Sequence, residues 1–511
     1  MVFDGPINAI PSNAFKGKVY LTSITYLPRS VKHIESGAFR MDSYTSALES
    51  INLNEGLLTI GNRAFLSNRK LTSFTCPNSL EHIHAFAFNT CPYIHEVTIG
   101  ENFKSFIDKN GVDNNDASGV FGVVYYLYKV NWNAINCRDF TNTETCPFSS
   151  VSMFSDGSYV NPIKTLTFGD KVEHIPAYLA FATHSLTGCI DIPASCKSIG
   201  DRCFQDCFKL KTVICRATEP PLITPGTYDS FTAKDGKNVI FRCWKDSKIQ
   251  VLPITIYVPA QSLEAYQTDP NWQIYFDVLQ PMLEYEEVDL GLRTSDGKKI
   301  LFADRNVGAT GPFAIGKYFA WGETTGAAVN VAAGETESAA IGQVFSKSTY
   351  EHSDSTYTTM NKYNTTDNYL SLEAGDDAAT VHMGNKWRTI SAEEMSMLLD
   401  ESKFTMEVLD TNGQVLTNPT RYDQKVGIRF VSKIPGFEGN SVIFPAAGAG
   451  VDDHAKDIHL TVSLWTNSRV SSNVKKAHFL YFYMTETDAI SLKVSTTDRY
   501  YGRQVRGVKI V

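Results

Sequence analysis

No cysteine follows Cys243 in this 511-residue chain, although the sequence holds ten. The second half therefore has no thiol nucleophile, no thiolate metal ligand and no internal disulfide. Long apolar runs are also missing. Nothing approaches the roughly 18 residues that a helix needs to cross a bilayer. Basic charge is in deficit, with 47 Lys and Arg against 55 Asp and Glu and a formal net charge of −8. That balance argues against a nucleic-acid binder, which would show a basic stripe. Gly-x-Ser-x-Gly, His-Glu-x-x-His and Gly-x-x-x-x-Gly-Lys-Ser/Thr are all absent, as is any Cys-x-x-Cys pair. What remains is an ordinary folded composition, long enough for two or more domains.

The first half is repetitive. Ala-Phe recurs at Ala14-Phe15, Ala38-Phe39, Ala64-Phe65, Ala87-Phe88 and Ala180-Phe181, and Cys203-Phe204 occupies the same slot. One copy has the apolar skeleton Leu71, Phe74, Cys76, Leu80, Ile83, Phe88, and another has Leu48, Ile51, Leu53, Leu57, Ile60, Phe65. The middle pair has period two, which predicts a short strand with both residues facing inward. One such coil cannot bury its own apolar side, but stacked coils can. Eight coils at strand spacing predict an array on the order of 35 Å long.

These repeats resemble the BspA-like leucine-rich repeats of Bacteroidetes surface proteins. The likeness is carried by Leu71–Phe88 and Ile190–Phe204, with Ile192-Pro193 and Ile199-Gly200. Trp132-Asn133-Ala134 resembles a recurring variant. Ile256-Tyr257-Val258-Pro259 with Leu263, Tyr266 and Trp272 resembles the usual C-terminal closing segment. The resemblance spans about residues 7–280.

Repeat positions explain most of the chemistry-bearing residues. The cysteines fall in small apolar slots, so mostly free structural thiols are expected. His33, His82 and His174 each precede a skeleton Ile where other coils have Thr59 and Ser198. Non-neighbouring coils hold them apart, so no shared metal is expected. Between the inward residues runs a small polar row, Asn52, Thr75, Thr98, Asn131, Thr167 and Asp191, without the Arg and aromatic residues of binding hot spots. Tyr125, Tyr126 and Tyr128 are the better binding candidates, beside a polar insertion at 107–123. Core packing is the alternative for them. Asp108, Asn110, Asp113 and Asp116 in that insertion hint at calcium, but EF-hand spacing is absent.

Beyond a junction at Pro281–Glu287 the repeat stops. Ser391-Ala392-Glu393-Glu394 reads as a capping box opening a helix with Met395, Leu398 and Leu399 on its apolar face. Residues 326–350, rich in Ala, Gly and Ser, read as a surface excursion. Asp452, Asp453, His454, Asp457 and His459 read as a polar loop, with a metal site as the alternative. Asp376 and Asp377 would face opposite ways if extended, which does not suit an acid–base pair.

Val288–Leu292, Asn306–Ala309, Gly316–Glu323, Asp376–Ala379, Trp387-Arg388, Phe444–Gly448 and Arg499–Arg506 follow one another in an order that resembles the Fibrobacter succinogenes major paralogous domain. That resemblance implies a C-type-lectin-like α+β fold on exported bacterial proteins. Formylglycine-generating enzymes share the broad fold but use active-site cysteines, which this half lacks. The Glu-Pro-Asn, Gln-Pro-Asp and Trp-Asn-Asp runs of calcium-dependent sugar binders are absent too. By the same resemblance, ligand contacts are expected on the irregular side near the C-terminus. The candidates there are Asn467, Arg469, Tyr481, Tyr483, Arg499 and Tyr501. Alternation with Leu480, Phe482 and Met484 would turn Tyr481 and Tyr483 outward.

The expected architecture is a mainly β two-domain protein. A leucine-rich-repeat solenoid with a C-terminal cap occupies 1–282, and an α+β C-type-lectin-like domain occupies 283–511. The expected function is non-catalytic adhesion or recognition of a host or microbial surface protein or glycan. A passive scaffold or stalk is one alternative, and a glycan- or sulfate-processing enzyme is another. No cofactor, metal, nucleic acid or transmembrane segment is expected, and a monomer is. Met1-Val2-Phe3-Asp4 leads straight into a repeat, so export to the cell surface or outer membrane rests on resemblance, with the leader trimmed away.

Overall fold

A computed structural model describes residues 7–42, 46–113, 115, 119–140, 147–148, 150–153, 159–160, 163–224, 240–245, 248–329, 338–421 and 423–511. The chain divides into two compact units, Met1–Met282 and Leu283–Val511.

The first unit is built from parallel ladders. One contains Ala9–Ile10, His33–Ile34, Thr59–Ile60, His82–His84 and Ser105–Ile107, each strand paired with the equivalent of the next coil. The pattern resumes at His174–Ile175, Ser198–Gly200 and Leu222–Thr224. On the other side Ser73–Thr75, Glu96–Ile99, Lys129–Trp132 and Thr165–Phe168 form one sheet. Gly188–Ile192, Leu210–Cys215, Thr255–Pro259 and Leu279–Met282 form another. The skeleton Ile and Val residues of these strands are almost entirely buried.

The turn after each skeleton Ile repeats as well. Its third residue is left-handed at Asn13, Gly37, Arg63, Phe86, Tyr178 and Arg202. Only Gly37 meets that conformation without a Cβ penalty. Two residues further on, the Phe side chains stack. Phe15, Phe39, Phe65, Phe88 and Phe121 follow one another at 5.2, 5.2, 5.2 and 5.6 Å, with interplanar angles of 5° to 11°. One assignment needs correction. Counting from Ile175, the Phe slot belongs to Ala180, whose N–H donates to the Cys203 carbonyl at 2.9 Å. Phe181 stands outside the slot, half-buried against the edge of Tyr178.

The final segment closes the stack. The helix Leu263–Thr268 brings Tyr266 inward, where its hydroxyl donates to the Ala217 carbonyl at 2.9 Å. Trp272 Nε1 donates to the Pro221 carbonyl at 2.8 Å. Both rings are fully buried, so the last coil is covered by side chains rather than water.

The second unit is a mixed sheet with two smaller ones. Its main sheet runs Glu287–Arg293, Lys299–Asn306, Gln504–Ile510, Val462–Arg469, Lys476–Met484, Ile490–Asp498, with Arg388–Thr389 also paired to Gln504–Ile510. The last strand of the unit thus inserts beside the second, Lys299–Asn306, while the first, Glu287–Arg293, stands at the sheet edge. Phe404–Asp410, Lys425–Ser432 and Ser441–Pro445 form an antiparallel trio.

Helix Ala392–Met397 starts at the full capping box of Ser391 and Glu394. Glu394 also receives Arg388 at 2.5 and 2.8 Å. Two readings are corrected here. Ser338–Phe345, within the supposed excursion, is a strand. It pairs antiparallel with Ala449–Lys456, so the supposed loop at Asp452–His454 is a strand as well. Residues 330–337 lie outside the described residues.

Candidate functional site

Coil stacking builds an aromatic strip on the first unit. Strand Lys129–Trp132 pairs in parallel with Glu96–Ile99, placing Lys129 opposite Glu96. The register continues backward, because the Tyr128 N–H donates to the His95 carbonyl at 3.0 Å and that of Tyr126 to the Pro92 carbonyl at 3.3 Å. Tyr126 therefore lies on Tyr93 at 5.5 Å and 3°, and Tyr128 lies on His95 at 5.7 Å and 26°. Leu127 between them is fully buried, which turns its two neighbours outward. Tyr93, Tyr125, Tyr126 and Tyr128 are 50, 45, 53 and 48% exposed. Four half-exposed phenols on adjacent coils are the largest aromatic grouping at the described surface of this unit.

Tyr125, Tyr126 and Tyr128 were legible from sequence, but Tyr93 and His95 were not singled out. A signal for them existed. Tyr93 and Tyr126 both precede a skeleton residue, Ile94 and Leu127, and His95 and Tyr128 both follow it.

Beside the strip three neighbouring members of the polar row, Thr98, Asn131 and Thr167, bond to one another. Asn131 donates to Glu96 at 2.6 Å and to Thr98 at 3.0 Å, and accepts from Thr167 at 2.8 Å. Lys129 pairs with Glu96 at 2.9 Å. Further along, Arg216 grips Asp191 through two contacts of 2.7 and 3.0 Å. Thr98, Asn131 and Thr167 thus form a cross-strand hydrogen-bond ladder.

The histidines and cysteines serve the stack. Nδ1 of His33, His82 and His174 meets the hydroxyl of the next coil's Thr59, Ser105 and Ser198 at 2.8, 2.9 and 2.7 Å. The described thiols of Cys76, Cys91, Cys137, Cys189, Cys196, Cys203, Cys207 and Cys215 are buried and not in disulfides. The thiols of Cys91 and Cys207 donate to the previous coil's carbonyls, Phe65 at 3.3 Å and Ala180 at 3.2 Å. Asn68 occupies the same coil position and donates to the Phe39 carbonyl at 2.9 Å. Burial pushes the Cys91 thiol up to about 12, so it stays protonated and able to donate. Cys146 and the Cys243 side chain lie outside the described residues.

The acidic clusters are committed to local structure. Asp108 accepts from the Asn110 and Val112 N–H groups at 2.8 Å each, and Asp113 pairs with Arg138. Asp116 lies outside the described residues. Asp453 pairs with His454 at 2.7 Å, and His459 Nδ1 meets the Lys425 carbonyl at 3.1 Å. Asp377 caps the helix Ala378–Met383 and also accepts from Thr389, whereas Asp376 accepts from Tyr363 at 2.6 Å. Burial raises the Asp377 carboxyl against the pull of those donors. Among the described residues no three His, Cys, Asp or Glu side chains converge as metal ligands would.

Three of the six C-terminal candidates are corrected. Arg499 is fully buried, its guanidinium over the rings of Trp321, Tyr350 and Tyr363. Arg469 is 4% exposed and donates to the Tyr369 carbonyl at 2.9 Å. Asn467 is 7% exposed and accepts from Ser468. All three are spent inside the unit, because chain 350–372 folds over the strand that carries Asn467 and Arg469. Tyr481, Tyr483 and Tyr501 are half-buried, and the alternating Leu480 and Phe482 are buried.

Residues 2–111 and 135–222 match, in six copies, the family model of the BspA type Leucine rich repeat region. Those residues are similar to BspA-type leucine-rich repeats. No curated protein matches the chain. Similar solved structures include a leucine-rich repeat protein from Bacteroides ovatus, 18% identical with a TM-score of 0.31, covering 54% of this chain and 58% of that one. A leucine rich cell surface protein from Faecalibacterium prausnitzii is 18% identical, with a TM-score of 0.17 and coverage of 44% and 78%. The pneumococcal vaccine antigen PcpA is 15% identical, with a TM-score of 0.17 and coverage of 54% and 83%. The chain thus spans 58% of the length of the first of these.

Proposed function

We propose that this chain is an exported, non-catalytic surface protein that recognises a host or microbial protein or glycan. The exposed strip of Tyr93, Tyr125, Tyr126 and Tyr128 on a BspA-type repeat region carries the reading. Tyrosine supplies a large contact area at low entropic cost, and hot spots are enriched in it. In this reading the repeats act as a platform and the second unit is a C-type-lectin-like α+β domain. Its mixed sheet, with the second and last strands paired antiparallel and two short helices, supports that assignment. The acidic pairs that an enzyme would need are engaged as caps and ion pairs.

Glycan arrays and surface-protein pull-downs with the full chain test the proposal. Binding should fall at least about tenfold in the Tyr126→Ala/Tyr128→Ala variant. Blank arrays and pull-downs, or binding untouched by the double substitution, would overturn it.

A further inference from the structure

Three arginines near the C-terminus are buried: Arg499 at 0%, Arg503 at 7% and Arg506 at 0% exposure. Burying a guanidinium is costly unless its donors find acceptors. For two of them the acceptors are present. Arg499 donates to the Tyr350 hydroxyl at 2.7 Å and to the carbonyls of Tyr363, Val474 and Lys362 at 3.2, 2.7 and 3.1 Å. Arg506 donates to Asn306 Oδ1 at 2.8 Å and to the Ala303 and Ile443 carbonyls at 2.9 and 2.5 Å.

Arg503 is different. It donates through Nη1 to the Ser463 hydroxyl, and its buried Nε has no acceptor. The guanidinium lies 3.8 Å over Phe479 and 5.2 Å from the Trp465 ring. The rings partly offset its charge without satisfying its N–H groups. Among the described residues it forms no ion pair.

The register shows where this unspent cation leads. Ser463 pairs with Tyr481, Tyr481 pairs with Lys493, and Arg503 directly precedes Gln504, the partner of Leu464. Arg503, Ser463, Tyr481 and Lys493 thus form a row across four strands. It runs from buried Arg503 past half-buried Tyr481 to exposed Lys493. Tyr483 stacks on Tyr481 at 4.8 Å, and Tyr501 stands 5.9 Å from the Arg503 guanidinium. Lys493 Nζ lies 5.9 Å from the Tyr483 ring.

We propose that this row binds a sugar ring bearing a carboxylate or sulfate. The oxyanion would take the open donors of Arg503, whose planar fork suits it, and Lys493 would add charge at the mouth. Phenol rings offer both a flat apolar face and a hydroxyl, which matches the apolar face and hydroxyl rim of a pyranose. The site lies in the second unit and does not depend on the tyrosine strip of the first.

Calorimetric titration of the full chain with three oligosaccharides of one backbone tests it: carboxylated, sulfated and neutral. At least one acidic form should bind about tenfold or more tighter than the neutral one, and the two acidic arms identify the oxyanion. Arg503→Lys keeps the charge but loses the fork and should weaken binding about tenfold. Exposed Lys493→Ala should weaken it about twofold to threefold and keeps the test alive if the Arg503 variant does not fold. Tyr20→Ala, at an exposed residue of the first unit outside the strip, should leave it unchanged. Equal affinity for the neutral sugar, tighter binding of poly-glutamate, no acidic sugar bound, or folded variants with unaltered affinity would each overturn the proposal.

Discussion

The two units bury polar groups by opposite means. In the first, side-chain hydrogen bonds step from one coil to the next: His33 to Thr59, His82 to Ser105, Cys207 to Ala180, all 23 to 27 residues apart. In the second they cross most of the unit. Trp321 reaches Thr466 over 145 residues, and Arg506 reaches Asn306 over 200. One unit is a sum of neighbour contacts, and the other is a knot of distant ones. The difference teaches where each unit tolerates change: damage to a coil should spread to adjacent coils, whereas damage to an arginine hub should reach the whole unit.

Arg499→Ala should break the second pattern most severely. It strands three carbonyls and the Tyr350 hydroxyl, at a cost of roughly 5 kcal/mol. Hydrogen exchange should show lost protection throughout 283–511 and little change in the repeats. Phe65→Ala opens a gap in the ring stack, at a cost of roughly 4 kcal/mol. Exchange should then rise in the coils around Phe39 and Phe88 and fade with distance along the array.

Acid should separate the units more gently. Burial lowers His382 from 6.5 to about 4 and lowers His352 as well. His382 stays neutral in the folded unit over this range while the unfolded chain takes up a proton, and His352 contributes in the same direction. Stability of 283–511 should therefore decline as pH falls from about 6.5 towards 4 and level off below. In the repeats His84 is lowered in the same direction, but it is only half-buried. A pH series of exchange rates checks the contrast. Cys91→Ala should have the smallest effect, about 1 to 2 kcal/mol, from the lost thiol donor and methyl-sized gap. In the native chain the eight described thiols should resist modification, and unfolding should release them.

How much was legible in the sequence follows the same division. The coil skeleton, the buried thiol positions and the histidine spacing could be read because each contact recurs at every repeat. The slip at Ala180 arose where the tempting Phe181 stood one residue beyond the slot. Alternation placed Leu480 and Phe482 inside and left Tyr481 and Tyr483 on the other face. It could not reveal that chain 350–372 lies over Asn467 and Arg469, or that Tyr350 and Tyr363 enclose Arg499. Those contacts join residues about 100 to 150 apart, with no local periodicity to announce them. Arg503 was passed over for the same reason, because its missing partner is visible only once the strands are in register.

Recognition through the exposed tyrosine strip is the claim on which the functional reading stands. Adhesion of beads coated with the full chain to a bound glycan or surface protein tests it most directly, with wild type set against a folded Tyr93→Ser/Tyr126→Ser/Tyr128→Ser variant. The account predicts that the variant loses most of the adhesion, about tenfold or more. Adhesion equal to wild type, with the variant's exchange pattern unchanged, would contradict it.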